Sequence, residues 1–400
     1  MRMRLMHPFR VRVGLALALG LLVNCAGGEE PRSMGTGGNG GRASNGGNAA
    51  GSSGGSIGTG GAGQGTGGVS AAGGSGGVGS LDAAVPEVTP PTDTRSDSTA
   101  SDAPSDGNVT PSGPGAWKTL APLPQSRESH GVAAAGGLLF VVGGFGAPTS
   151  VVAFDPKTNS WSNHAPLPTG ADHINLAGVG DKLYLLSTAQ SGNTYEYNAL
   201  APAGQRAWTP KKAAPVRRPA AAVGVVGTVI YLAGGFTTHD VPAQDVLAYN
   251  TADDTWDSSF PPLPAARSHV NGAVVGNVLY VLGGREAGTA GTRQARVDAL
   301  DTTTKVWSTK AAMPMVRSEG AAATLNGFII FAGGEGAGGT PYSSVLAYDP
   351  MADRWLPRAP LAGARHAMGG GVVDGKFYVP GGASGVGGTN LVSILEEFTP

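Results

Sequence analysis

Five arginines, Arg127, Arg218, Arg267, Arg317 and Arg365, each stand sixteen residues before the first glycine of a Gly-Gly pair, at Gly143-Gly144, Gly234-Gly235, Gly283-Gly284, Gly333-Gly334 and Gly381-Gly382. A guanidinium is permanently charged and presents a planar fork of donors, so arginines gathered by a repeat can hold a carboxylate through paired charge-assisted hydrogen bonds. The residues after the pairs, Phe145, Phe236, Arg285, Glu335 and Ala383, belong to the same neighbourhood. Arg127, Arg218, Arg267, Arg285, Arg317, Glu335 and Arg365 are therefore the candidate ligand-binding residues, expected to ring one mouth of a channel. A structural use competes with this one, because an arginine present in each repeat can equally well satisfy loop carbonyls. Glu319 and Glu335 are the glutamates to test for proton transfer, since a carboxylate beside a carboxylate-binding arginine is what such a step needs. No catalytic residue is assigned.

Four histidines, His130, His173, His269 and His366, fall one to three residues after an arginine position or its equivalent, Ala171. Their offsets are unequal and no His-x-His or His-Glu-x-x-His pair is present, so neither a metal site nor a cofactor is expected. No Ser/His/Asp order and no phosphate-binding glycine loop stands out. With 27 basic and 28 acidic residues the formal net charge is -1, which leaves no global field to recruit nucleic acid. Cys25 is the one cysteine, so there is no intramolecular disulfide and no cysteine-ligated zinc.

The elements that must position these residues are written in a longer period. The six tryptophans, Trp117, Trp161, Trp208, Trp256, Trp307 and Trp355, recur at spacings of 44, 47, 48, 51 and 48. Ahead of most of them stands a turn such as Phe154-Asp155-Pro156, Tyr249-Asn250 or Tyr348-Asp349-Pro350, where Asn, Asp and Pro make tight connections between short strands. Each unit thus reads as four strands, the second ending in Gly-Gly and the fourth carrying Trp. In the second unit Ser187-Thr188 replaces Gly-Gly. Between Gly-Gly and the third strand the connections vary in length and carry His239, Asp240, Glu286, Arg293 and Arg296. Variable loops on a rigid frame are where binding surfaces are usually built.

Gly-Gly, aromatic-Asp and Trp at a period of 45 to 50 residues resemble the kelch repeat, and the likeness runs from Gly115 onward. It implies an all-β fold, a six-bladed β-propeller with four antiparallel strands per blade. The last unit stops at Glu397-Phe398-Thr399-Pro400 without its tryptophan strand, and Ala116-Trp117-Lys118-Thr119-Leu120 supplies it, so blade six is expected to be closed by residues 115–124. By resemblance to eukaryotic kelch adaptors that capture acidic peptides, arginines at these positions would line a pocket for acidic peptides or glycans, in a non-catalytic binding module. A resemblance to the periplasmic sialic-acid mutarotases supplies an alternative, a sugar-modifying enzyme. The copper chemistry of galactose oxidase, another kelch propeller, needs a Tyr-Cys crosslink and is excluded here because the propeller has no cysteine.

Before the repeat, Arg2, Arg4, Arg10 and Arg12 precede the apolar run Val13 to Val23, which is too short to span a bilayer and suits a secretory signal. Leu22-Val23-Asn24-Cys25 resembles the lipobox of bacterial lipoproteins. That resemblance implies a signal peptide over residues 1–24, a lipidated Cys25 as membrane anchor and, with Ala26 following, the outer membrane of the cell envelope. Residues 25–114 are rich in Gly, Ser and Ala, and such a coil spans about 50 Å. A monomeric, tethered propeller is the expected whole.

Overall fold

Strand runs of two kinds alternate along the chain. Leu138–Val142 (LLFVV) and Val278–Leu282 (VLYVL) are continuously apolar, whereas Gly131–Ala135 (GVAAA) alternates buried and half-buried positions, and Ala116–Leu120 (AWKTL) is largely exposed. A strand buried on both faces reads as a continuous apolar run, and one with a wet face alternates. Burial therefore rises and falls across each four-stranded unit.

The protein is described here by a computed structural model covering residues 113–237, 241–286 and 292–400; the signal segment, Cys25, the tether to residue 112, His239 and Asp240 lie outside the described residues. Among these, the strands form six four-stranded antiparallel sheets, the blades of a propeller. The innermost strands, Gly131–Ala135, Leu176–Val179, Ala222–Val226, Asn271–Val275, Ala321–Leu325 and Gly371–Val373, surround a central channel. Ala116–Leu120 pairs antiparallel with Leu395–Thr399, Trp117 opposite Phe398, so the N-terminal strand completes blade six and closes the ring.

Repeated contacts hold blade to blade. Each tryptophan indole donates to a carbonyl of the preceding blade at 2.7 to 3.1 Å, from Trp117 to Ala359 through Trp355 to Ala311. Five of the rings lie 4.9 to 5.2 Å from the aromatic opposite them, and in blade five Leu300 takes the aromatic's place opposite Trp307. The indole thus fills the gap between blades and satisfies its one donor there.

Both glycines of each pair have left-handed backbone, for example Gly283 at φ 59° and Gly284 at φ 96°. A Cβ on Gly283 would sit 2.3 Å from the Arg317 carbonyl of the next blade, so space as well as conformation demands glycine. The second glycine donates its N–H to the next blade's carbonyl at the arginine position, as Gly284 does to Arg317. Blade two lacks the pair and solves the same problem with side chains. Asn175 Nδ2 donates to the Arg218 carbonyl at 2.7 Å, while the Arg218 N–H donates to Ser187 Oγ.

Candidate functional site

Four of the five recurrent arginines do not reach the channel mouth. Arg127, Arg267, Arg317 and Arg365 are at most 1% exposed. Each spans the end of its own blade: Nη1 donates to the carbonyl of the first glycine of the pair and Nη2 reaches an acceptor in the third strand or just before it, Ser150 Oγ, Asp298, Ser344 Oγ or Glu396. Burial lowers Arg127, Arg267 and Arg317 to about 10, which leaves them charged at neutral pH. The expected ring of guest-binding arginines is therefore corrected to four internal braces, because a guanidinium sealed among carbonyls has no face left for a guest. Arg218 differs again, pairing with Asp245, itself half exposed, at the edge of blade three.

The residues that reach the mouth stand two positions further along. Ser129, His173, Ala220, His269, Glu319 and Ala367, one per blade, all have left-handed φ between 48° and 54°. That conformation turns the backbone amides sideways along the circumference: Ser129 donates to Ala367, His173 to Ser129, Ala220 to His173 and Glu319 to His269. The six form a collar around the axis. Above it opens a cavity of about 510 Å³ lined in part by Glu128, Phe145, Arg285, Arg293, Glu335 and His366; below it the channel, about 360 Å³, is lined mainly by Ala, Gly and Val. The signal for this collar was present in the sequence as the position two after each arginine or its equivalent Ala171, but no single residue type holds it: Ser, His, Ala, His, Glu and Ala in turn.

Within the collar, His173, His269 and Glu319 each bring one donor atom to within 4.8 Å of the other two. The sequence carries no paired-histidine motif, and it is the closed ring that brings these three side chains together. His173 and His269 share the same offset from the arginine position, and the closed ring sets them beside each other with ring centroids 5.2 Å apart over the small Ala220 blade. His173 Nδ1 contacts Asp172 Oδ1 at 2.6 Å and His269 Nδ1 contacts Ser268 Oγ at 3.0 Å, while His269 Nε2 lies 3.3 Å from Glu319 Oε1. Phe236 stacks on His269 and stands edge-on to His173, holding both rings. A second set, Glu319, Glu335 and His366, is equally close-spaced.

Burial holds His269 down to about 3, so its imidazole is neutral. For His173 burial acts in the same direction, but Asp172 and then Glu319 outweigh it and raise the group. Burial also opposes a charged His366, and Glu319 again prevails. Burial would push Glu319 up; His269, His366 and Arg285 facing it hold it well below the usual carboxylate range. Glu128 is raised by burial and by repulsion from Glu319.

Arg285 and Glu335, both named from the sequence, do meet at the mouth. Glu335 Oε1 accepts from Arg285 Nε at 2.9 Å, from Arg293 Nη2 at 2.9 Å and from Ser318 Oγ at 2.8 Å. Arg285 Nη2 also lies 2.9 Å from Glu319 Oε2. An oxygen that already accepts so many donors is poorly placed as a general base, and Glu319 is similarly engaged. Arg296 turns away to Asp298 at 2.7 Å. Among mouth residues and their direct partners, the carboxylates of Glu128, Asp172, Glu319 and Glu335 outnumber the guanidiniums of Arg285 and Arg293 by two.

Comparison with known proteins agrees with this architecture. Residues 179–382 match the KLHDC2/KLHL20/DRC7 Kelch-repeats domain and residues 126–168 the Kelch motif. The Kelch-like protein terF of Aspergillus terreus is 31% identical over 318 residues, covering 72% of this chain and 68% of its own length. Kelch repeat and BTB domain-containing protein 1 of Ectromelia virus is 29% identical over 175 residues, 44% of this chain and 30% of that protein. The chain thus spans under a third of the viral relative. Among solved structures, that of YjhT superposes with a TM-score of 0.60 at 17% identity, covering 69% of this chain and 95% of YjhT, which is a likeness of fold. With six four-stranded blades, the tryptophan and Gly-Gly signature in its repeats, and these matches, the chain belongs to the kelch-repeat family.

Proposed function

We propose that this protein is a non-catalytic binding module, anchored at the bacterial outer membrane through a lipidated Cys25, whose ligand enters the channel mouth on the Gly-Gly face. The observation that carries the binding reading is the cavity of about 510 Å³ lined by ionisable side chains of five blades. Small-molecule sites commonly measure roughly 300 to 1,000 Å³ and combine apolar walls with a few convergent polar groups. Phe145, 46% exposed, and Val386, 56% exposed, supply apolar surface at the rim. Kelch propellers typically serve as protein-interaction modules, which favours binding over catalysis.

The charge balance narrows the guest. A mouth with excess carboxylates repels a polyanion, so an acidic glycan or peptide must present a single acidic group to Arg285 and Arg293 and hydrogen-bond donors to Glu128 and Glu319. Soluble protein probed against glycan and peptide arrays is expected to retain singly acidic members and not polyanions. Arg293→Ala should weaken that binding about tenfold, the loss of roughly 1.5 kcal/mol expected for a charge-assisted bond, and Phe145→Ala should weaken it by a similar factor through lost apolar burial, with the melting temperature of the Phe145 variant unchanged. An array with no retained member, or binding indifferent to both substitutions, sinks the reading.

The anchor rests on the position of Cys25 at the end of the apolar run and on the absence of any other thiol. Among the described residues no helix is long and apolar enough to cross a membrane. Cys25→Ser is expected to move the protein from the membrane fraction to the soluble one on cell fractionation. Unchanged partitioning would assign the anchor elsewhere.

A further inference from the structure

We propose that His173, His269 and Glu319 form a binding site for one divalent transition-metal ion at the channel mouth, with a fourth position open to the cavity. The site lies in the mouth described above but does not rest on that mouth taking an organic ligand.

Three independent features carry it. The first is the donor set. Each histidine has its Nδ1 occupied, by Asp172 Oδ1 and by Ser268 Oγ, so Nε2 is the nitrogen left for the centre of the cluster. A metal-binding imidazole typically donates its other N–H to a carboxylate or similar acceptor, which orients the ring and raises its basicity. Glu319 is divided in the same way: Oε2 meets Arg285 and His366, and Oε1 faces His269 Nε2 at 3.3 Å. Donors held 2.0 to 2.1 Å from a tetrahedral ion are themselves about 3.3 Å apart.

The second feature is the surroundings. Phe236 packs on both imidazoles, and Gln190 holds the far oxygen of Asp172. The rings are thereby fixed before any ion arrives. The third is charge. Carboxylates exceed guanidiniums by two among the described mouth residues and their partners, which favours a cation over an anion at the collar. Two imidazole nitrogens with one carboxylate suit Zn²⁺, Fe²⁺ or Co²⁺ rather than Ca²⁺ or Mg²⁺, which favour oxygen shells. In the neighbouring set, Glu335 Oε1 is engaged by Arg285 and Arg293, so Glu335 and His366 support the site from outside it.

The test uses the full chain, freed of metal by chelation and titrated with Zn²⁺ alone by calorimetry and with Co²⁺ alone by visible absorption. One ion per chain is expected, with an intense tetrahedral Co²⁺ spectrum, and a large excess of Mg²⁺ or Ca²⁺ should not compete. His269→Ala and Glu319→Gln should each weaken Zn²⁺ binding at least tenfold, and Asp172→Asn about tenfold through the ring it orients. Folding of the histidine variant is protected by precedent within the molecule: Ala220 and Ala367 hold the same left-handed collar position. Its metal-free melting temperature should match the wild type, and Zn²⁺ should raise only the latter. No saturable binding, binding that both variants retain, or equal competition by Mg²⁺ overturns the proposal. Because no organic ligand is present, the result stands whatever the arrays show.

Discussion

A chain beginning at Gln125 is expected to melt far below one beginning at Gly115. Residues 116–120 provide the outer strand of blade six, in register with Leu395–Thr399 over five residue pairs. Trp117 lies 5.0 Å from Phe398 and 6.2 Å from Phe377, and its indole donates to Ala359 of the neighbouring blade. Beyond the strand, Leu123 is 3% exposed and donates to the Ser393 carbonyl, and the Ala121 carbonyl accepts from Trp161. Truncating a buried large aromatic alone costs about 3 to 5 kcal/mol, against a typical domain stability of about 5 to 15 kcal/mol. Removing the whole segment also bares the edge of Leu395–Thr399 to pairing with other chains. The shorter chain should be both less stable and prone to association, measured by thermal unfolding and light scattering. Equal melting temperatures would rule out closure by this strand.

Replacing Arg365 by Ala should destabilise the fold by about 3 to 5 kcal/mol, whereas Arg218→Ala should cost less than about 1 kcal/mol. The two arginines hold the same place in the repeat but not in the solvent. Arg365 pairs with Glu396, both side chains at most 2% exposed, and also serves the Gly381 carbonyl at 2.8 Å. Losing it strands a buried carboxylate and a carbonyl together. Arg218 faces an Asp245 side chain that is 48% exposed, where water can replace the lost partner. Adding Glu396→Leu to Arg365→Met should recover part of the loss, because the abandoned charge is gone while the carbonyl remains unserved. Urea unfolding of the four proteins decides the matter. An Arg365→Ala protein as stable as wild type would return these arginines to the role of ligand contacts.

The collar and the arginines respond to the repeat in opposite ways. Arg127, Arg267, Arg317 and Arg365 recur because every blade end has the same carbonyls to satisfy, which makes them visible in the sequence and places them inside the protein. The site-forming positions, His173, His269 and Glu319, share a backbone conformation with Ser129, Ala220 and Ala367 but no residue type, so a search for recurrence passes over them. Arg285 and Glu335 were legible because they follow Gly-Gly, where side chains flank the mouth, and the sequence already set Glu335 beside Arg285 or Arg317; that Arg285 is the partner was decided by the loop geometry joining blades four and five.

Sequence alone determined the blade count, the four-strand unit, the inter-blade tryptophans and the closing strand, because each follows from local patterning repeated at a period the eye can align. Burial of the arginines, the left-handed collar and the meeting of His173 with His269 were decided only by the tertiary structure. The reason is geometric: closing the ring turns positions one repeat or more apart into neighbours around an axis. Whether a side chain there points inward or is sealed behind the collar depends on backbone dihedrals two residues from the repeated marker. Those dihedrals come from hydrogen bonds to the next blade, which do not exist until the ring is closed.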